Sequence, residues 1–222
     1  MRTDVLVAAR TGRLPQIECR GALTARCTGS DTVHLVSTAA HPLGGDEIII
    51  RVVVPPGTRL RIRSTAASIV LPGPDSPESM ICWDIDVGGE LDVDPEPTVV
   101  AARSRHLSDV HVQLGEEARI RIRERVQIGR SGERQGFWSG RLKADLPSGP
   151  LLRHRMELGA GAVGDDVLGT PLACVSELRY PEPAIGCAGT TYALAAGGSL
   201  STWQGPLLPA RRWVGAHPAG PT

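Results

Sequence analysis

One pattern recurs through the middle of this chain and restricts what it can fold into: a β-like run, a glycine turn, then a second, alternating run. The first copy is the β-branched stretch Glu47 to Val54, the turn Pro55-Pro56-Gly57, and the alternating run Thr58 to Arg63. The second is Ile81 to Val87, Gly88-Gly89 and Glu90 to Val93. The third is Val110 to Leu114, the turn at Gly115, and Ala118 to Arg123. Alternation at period two places one set of side chains on an apolar face and the other in water. Glu47 to Val54 lacks clean alternation and is expected to be buried on both faces. Units returning about every 30 residues, each burying little alone, predict a layered architecture in which neighbouring units stack. The expected fold class is mainly β: an elongated layered structure of stacked strand–Gly-turn–strand units with a few short helices.

Leu14 to Leu23 is a further β-like stretch. Val163 to Arg179 is expected to hold a short helix, with Asp165 or Asp166 near its start and Pro171 interrupting it. The expected organisation is one domain over residues 1–205 and a flexible tail over 206–222, where Pro, Gly and Ala accumulate. Aromatic residues are only 3% of the chain, so its core must be built from Val, Ile, Leu and Ala.

Charge excludes some partners. The 24 basic and 24 acidic residues cancel, leaving no global field for nucleic acid or an anionic membrane. The first ten residues hold too short an apolar run for a signal peptide, and no stretch approaches a membrane span. Five cysteines, Cys19, Cys27, Cys82, Cys174 and Cys187, form no Cys-x-x-Cys pair. Free thiols in a reducing cytosol are the simplest account, and the expected location is cytoplasmic.

No nucleophile elbow, Walker loop or dinucleotide fingerprint is present, and the glycine pairs read as turns. The histidines are His34, His41, His106, His111, His154 and His217. His106 and His111 differ by an odd number, which puts them on opposite faces of a regular strand. Arg119, Arg121, Arg123 and Arg125 form a basic ladder; Asp84, Asp86, Asp92, Asp94 and Glu96 form an acidic one. Such faces are either ordinary solvated surfaces or docking surfaces for separate partners. The acidic face could also line a polar passage, with Asp46, Asp84 and Asp86 as weak sites for a transient divalent cation.

A family resemblance rests on further motifs. His41-Pro42-Leu43-Gly44-Gly45-Asp46, followed by the apolar strand, Gly57 and Ser64-Thr65-Ala66-Ala67, resembles the UreD (UreH) urease accessory family. Glu124, Gly129 and Arg130 are similar to its Glu-x4-Gly-Arg element, and Phe137, Gly140 and Leu142 follow at its spacing. The resemblance runs from Leu14 to Leu158. Ile69-Val70-Leu71-Pro72 departs from the family pattern. Gly44 and Gly45 also suit a tight turn that Asp46 can cap, so this motif has a structural reading beside the familial one.

The resemblance implies a largely β, non-enzymatic scaffold that binds apo-urease and recruits UreF and the nickel-carrying GTPase UreG. It implies nickel insertion into urease, an internal passage for nickel, transient nickel and no permanent cofactor. Asp46 and the Gly44-Gly45 turn are expected to support the fold near a partner surface, and Glu124 to pair with Arg130. The alternative is a β-sandwich or barrel divalent-metal enzyme, which needs His34, His41, His106 or His111 to converge.

Overall fold

A computed structural model describes residues 1–163, 171–184 and 189–209. The chain opens with β1 (Arg2–Arg10) and β2 (Arg13–Arg20), then β3 (Leu23–Cys27) and β4 (Thr32–Ser37). The recurrent units follow: β5 (Glu47–Val54) with β6 (Arg59–Ser64) and the short β7 (Ser68–Val70); β8 (Glu78–Val87) with β9 (Glu90–Val93) and β10 (Thr98–Val100); β11 (Arg105–Leu114) with β12 (Arg119–Ile128). The strands β13 (Phe137–Leu146), β14 (Gly149–Gly159), β15 (Ala173–Tyr180), β16 (Thr190–Ala193) and β17 (Ser199–Gly205) complete the fold.

Each unit sends its first long strand to one sheet and its second to another. The first sheet runs β14-β13-β11-β8-β5-β1-β2, and the second β16-β17-β15-β12-β9-β6-β4-β3. Strands β1, β5, β8, β11 and β13 are mutually parallel, as are β4, β6, β9 and β12. Parallel pairing follows from the repeat: a strand that returns after a full coil runs in the same direction as its predecessor.

The register stacks equivalent residues. Ile50, Trp83, Val110 and Leu142 form one inward row, and Val52, Ile85, Val112 and Ala144 the next. Leu60, Leu91 and Ile120 oppose them from the second sheet. Ile50, Val52, Leu60, Val87 and Val112 are completely buried. Each such side chain contributes roughly 1.5–3 kcal/mol by leaving water.

The β reading holds and two details change. Strand β5 buries Ile48, Ile50, Val52 and Val54 but turns Arg51 outward, so only one of its faces is core. No helix occurs among the described residues. Overlapping the C-terminal part of the expected helix, Ala173–Tyr180 is strand β15, held by antiparallel pairing to both β12 and β17. Two flanking ladders outweigh a weak local helix preference. Residues 164–170, Cys187 in 185–188, and 210–222, most of the expected tail, lie outside the described residues. No described helix is long and apolar enough to cross a membrane.

Candidate functional site: a polar cavity between the sheets

Toward the N-terminal ends of the first sheet's parallel strands, the stacked rows change from aliphatic to polar. Ser79, His106 and Trp138 make one row, and Ile81, Ser108 and Gly140 the next. From the second sheet Glu124 points inward, at the same parity as Ile122 and Val126. A cavity of about 200 Å³ opens here, bordered by His41, Thr65, His106, Ser108 and Glu124. The Thr65-Ala66-Ala67 segment and Arg125 also lie on its wall. A small apolar cluster of Val70, Val100, Val126, Ile128, Trp138, Leu158 and Cys174 packs apart from the main core.

Glu124 Oε1 accepts a 2.6 Å hydrogen bond from Ser108 Oγ. Burial raises its pKa to about 7, and the Ser108 bond opposes that only in part. Cys174, also buried, has its thiol pushed well up by burial and by the Glu124 charge. His106 Nδ1 lies 2.9 Å from Ser79 Oγ. Burial, with His41 nearby, lowers its pKa to about 4 and keeps the imidazole neutral. His41 is buried, and among the described residues neither ring nitrogen has a hydrogen bond. Desolvation lowers its pKa despite Asp46 Oδ2 at 3.6 Å. The cavity therefore presents Glu124, balanced near neutrality, and two neutral imidazoles, with Glu96, Arg123 and Arg125 also on its wall. No group of three or more His, Cys, Asp or Glu among the described residues is arranged to hold a metal ion.

Asp46 sits beside this cavity and is committed to its own turn. It accepts 2.8 Å hydrogen bonds from the Leu43 N–H and from the Met1 amino group. Burial alone would raise its pKa; these bonds and the neighbouring charges outweigh it and hold the carboxyl down. The two glycines before it have separate reasons. Gly45 has φ +90°, and a Cβ on Gly44 would lie 1.8 Å from Ser76 O.

The remaining sequence candidates are dispersed. Gly57 and Gly129 occupy positive-φ turns. Phe137 is buried under the Arg105 guanidinium, 4.0 Å above its ring, and Gly140 makes room for the Trp138 ring. Asp84 and Asp86 lie on the outer face of the first sheet, where Asp84 accepts a hydrogen bond from Arg51 Nε at 3.1 Å. His111 is on that face too, and His34 is on the outer face of the second sheet, bonded to Thr28. The expected Glu124–Arg130 pair does not form. Arg130 pairs instead with Glu133, whose carboxyl also accepts from the Ala102 and Arg130 N–H groups. These bonds hold Glu133 at about 2. The physical reason is strand parity: Glu124 faces inward, whereas Arg130 follows the Gly129 turn. A carboxylate three residues beyond Arg130 was the available signal.

Nor do the charge ladders stand as separate faces. Arg121 bonds Asp92 and Asp94, and Arg123 and Arg125 both bond Asp94. Sequence reading passed over Glu177, the centre of this network. It is fully buried and accepts from Arg123 Nε at 2.7 Å, Arg121 Nε at 3.2 Å and Arg179 Nε at 2.5 Å. The expected helix across its position hid the strand parity, fixed by pairing with β12, that turns it toward the arginines.

The fold and cavity define a class: a parallel-coil, two-sheet β protein with a chamber of mixed apolar and polar lining between its layers. Comparison with known proteins supplies the family. The model of the UreD urease accessory protein family matches residues 12–185, and the chain belongs to that family. It is 36% identical over 183 residues to urease accessory protein UreD 1 of Saccharopolyspora erythraea, covering 78% of this chain and 72% of the relative. It is 37% identical to UreD of Frankia alni, covering 79% and 65% respectively. Against UreD of Frankia casuarinae the identity is 36%, covering 82% and 64%. The matches thus span about two thirds of these relatives' length.

Proposed function

We propose that this chain is a non-catalytic scaffold in urease maturation: it binds apo-urease, recruits UreF- and UreG-type partners, and supports nickel delivery to the urease active site. The observation that carries this reading is the family match across residues 12–185. The polar chamber gives it a physical route. Glu124 supplies a hard oxygen donor, and neutral His41 and His106 supply imidazoles of the kind that suit nickel. Donors too dispersed for a closed coordination shell favour passage over storage. Nickel is cargo in this reading, and GTP hydrolysis belongs to a partner. The cytoplasm, where apo-urease is assembled, is the proposed location.

A divalent-metal enzyme is the less supported reading. His34 and His111 lie on outer faces of different sheets, and among the described histidines His41 and His106 alone share the cavity.

The test is the nickel content and activity of urease from cells with and without this gene, grown in limiting nickel. Assembled but nickel-poor, inactive urease in the deletion strain, restored by the gene, is the expected result. Fully loaded urease without the gene would overturn the proposal. Glu124→Ala, with folding intact, is expected to lower nickel loading; unchanged loading would remove the cavity from the route.

A further inference from the structure

The two flanks of the sandwich end differently. On the β2 and β3 flank, residues 21 and 22 carry the chain from one sheet to the other. The buried Ala22 N–H donates to Thr3 Oγ1 at 3.1 Å, so the protein's own backbone closes that side. On the opposite flank, β14 pairs only with β13 and β16 only with β17 among the described residues. Between these two edge strands lies an open groove of about 720 Å³. Leu152, His154 and Met156 line one wall, and Tyr192 and Thr202 lie on the other. Tyr192 is 55% exposed. His154 Nε2 is buried without a hydrogen-bond partner among the described residues.

The outward face beside the groove carries a second anomaly. Arg141 lies directly opposite Arg155, and Lys143 directly opposite Arg153. Like charges in directly opposed positions destabilise an antiparallel pair. Asp109, Asp145 and Glu157 compensate Arg141, Arg153 and Arg155. Lys143 has no ion-pair partner among the described residues. The outward side chains of β13 and β14 therefore hold four cations against the two carboxylates of Asp145 and Glu157. Edge strands are ordinarily protected against pairing by charge and proline, and in β14 Pro150 and the outward arginines disfavour a basic or identical strand but not an acidic one. The β14 edge offers 11 residues, apolar side chains at inward positions and surplus positive charge at outward ones.

We propose that the free edge of β14 is a docking site for an extended, acidic segment of a partner protein, added as a further strand of the first sheet. Its alternating apolar side chains enter the groove against Leu152, Met156 and Tyr192. Its alternating carboxylates meet Lys143, Arg153 and Arg155. Backbone hydrogen bonds supply affinity, and alternation of the side chains sets register.

The test uses the purified full chain and two blocked octapeptides, one alternating glutamate with valine, the other lysine with valine. Hydrogen exchange of the β14 amides and intrinsic tryptophan fluorescence are read during titration. Saturable binding of the glutamate peptide, with new protection confined to β14, is expected. Binding is expected to weaken at least tenfold in the Lys143→Glu/Arg155→Glu variant, and about threefold in Lys143→Gln, which preserves more of the native surface. Circular dichroism confirms that each variant is folded. Equal binding of both peptides, protection elsewhere, or no change in the charge variants would overturn the proposal. So would β14 protection that rises with protein concentration alone, since the occupant would then be a second copy. None of these readouts involves urease or nickel, so the outcome is independent of the proposed maturation role.

Discussion

Glu124 and Glu177 are the same residue type on neighbouring strands of one sheet, and the fold treats them in opposite ways. In register, Glu124 faces Ser176 and Glu177 faces Arg123, so the two carboxyls project from opposite sides of the same ladder. Glu177 is buried among three guanidinium groups. Burial would raise its pKa, but Arg123, the Arg179 hydrogen bond and Arg121 outweigh it and hold the carboxyl ionised. Glu124 has a single hydroxyl partner and a cavity in front of it. Its pKa rises to about 7. A buried carboxylate surrounded by cations fixes structure; a desolvated, half-buried carboxyl without one can change its charge state near neutrality or accept a passing cation.

The largest expected effect comes from breaking the paired member. Glu177→Gln leaves Arg123 buried with reduced compensation and is expected to cost about 3–5 kcal/mol in urea unfolding. A loss below about 1 kcal/mol would mean that the network is not what holds β12 to β15.

The unpaired member should behave in the reverse sense. Glu124 is harder to ionise in the folded chain than in the unfolded one, whose carboxyl titrates near 4.5. Relative stability is therefore full below pH 4.5 and is lost as pH rises through about 7. Glu124→Gln removes that loss. The variant is expected to gain up to about 3 kcal/mol over the parent between those limits, with a constant difference above them. Parallel urea curves across pH 5 to 8 check it, and a pH-independent difference would place Glu124 in an ordinary solvated setting.

Asp46 sharpens the contrast on a smaller scale, because hydrogen bonds rather than guanidinium groups keep it ionised. Asp46→Asn is expected to cost about 1–2 kcal/mol through the turn before β5. The contribution is present above its ordinary value of 3.8 and disappears as pH falls through the lower folded value. Thermal unfolding at pH 3 and pH 7 measures this, and an equal cost at both would assign the effect to shape alone.

Glu133, half-buried beside an exposed Arg130, provides the surface comparison. Its pairing with Arg130 contributes above pH 4.5 and is lost toward about 2. Glu133→Gln should have the smallest effect of the four, one that shrinks further in high salt. A salt-independent loss would show that the Ala102 N–H bond, not the Arg130 pair, dominates.

Much of the fold was legible because its signals are local. The glycine turns at Gly57, Gly88-Gly89 and Gly115 separate strands that the structure assigns to alternate sheets, and the strands between them repeat in register. The odd spacing of His106 and His111 places one inside and the other outside. The site was only partly legible. Thr65 and Glu124 border the cavity, but Glu124 meets Ser108, which is 16 residues away in sequence. His41 reaches the same chamber from the turn before β5, outside any strand pattern. Strand β15 was missed because Ala173 to Tyr180 carries no clean alternation, and pairing on both sides decided its conformation.

The sequence by itself determined the coil length, the β class and, strand by strand, the side to which most residues point. Those are properties of a pleated backbone and its turns, set within a few residues. Only the tertiary structure decided which charges meet. The arginines of β12 could have faced solvent or a partner. Stacking one coil against the next placed Asp92, Asp94 and Glu177 beside them, and the same stacking left Glu124 facing a cavity. Register between strands a full coil apart depends on how whole layers close on one another, and no local pattern encodes it.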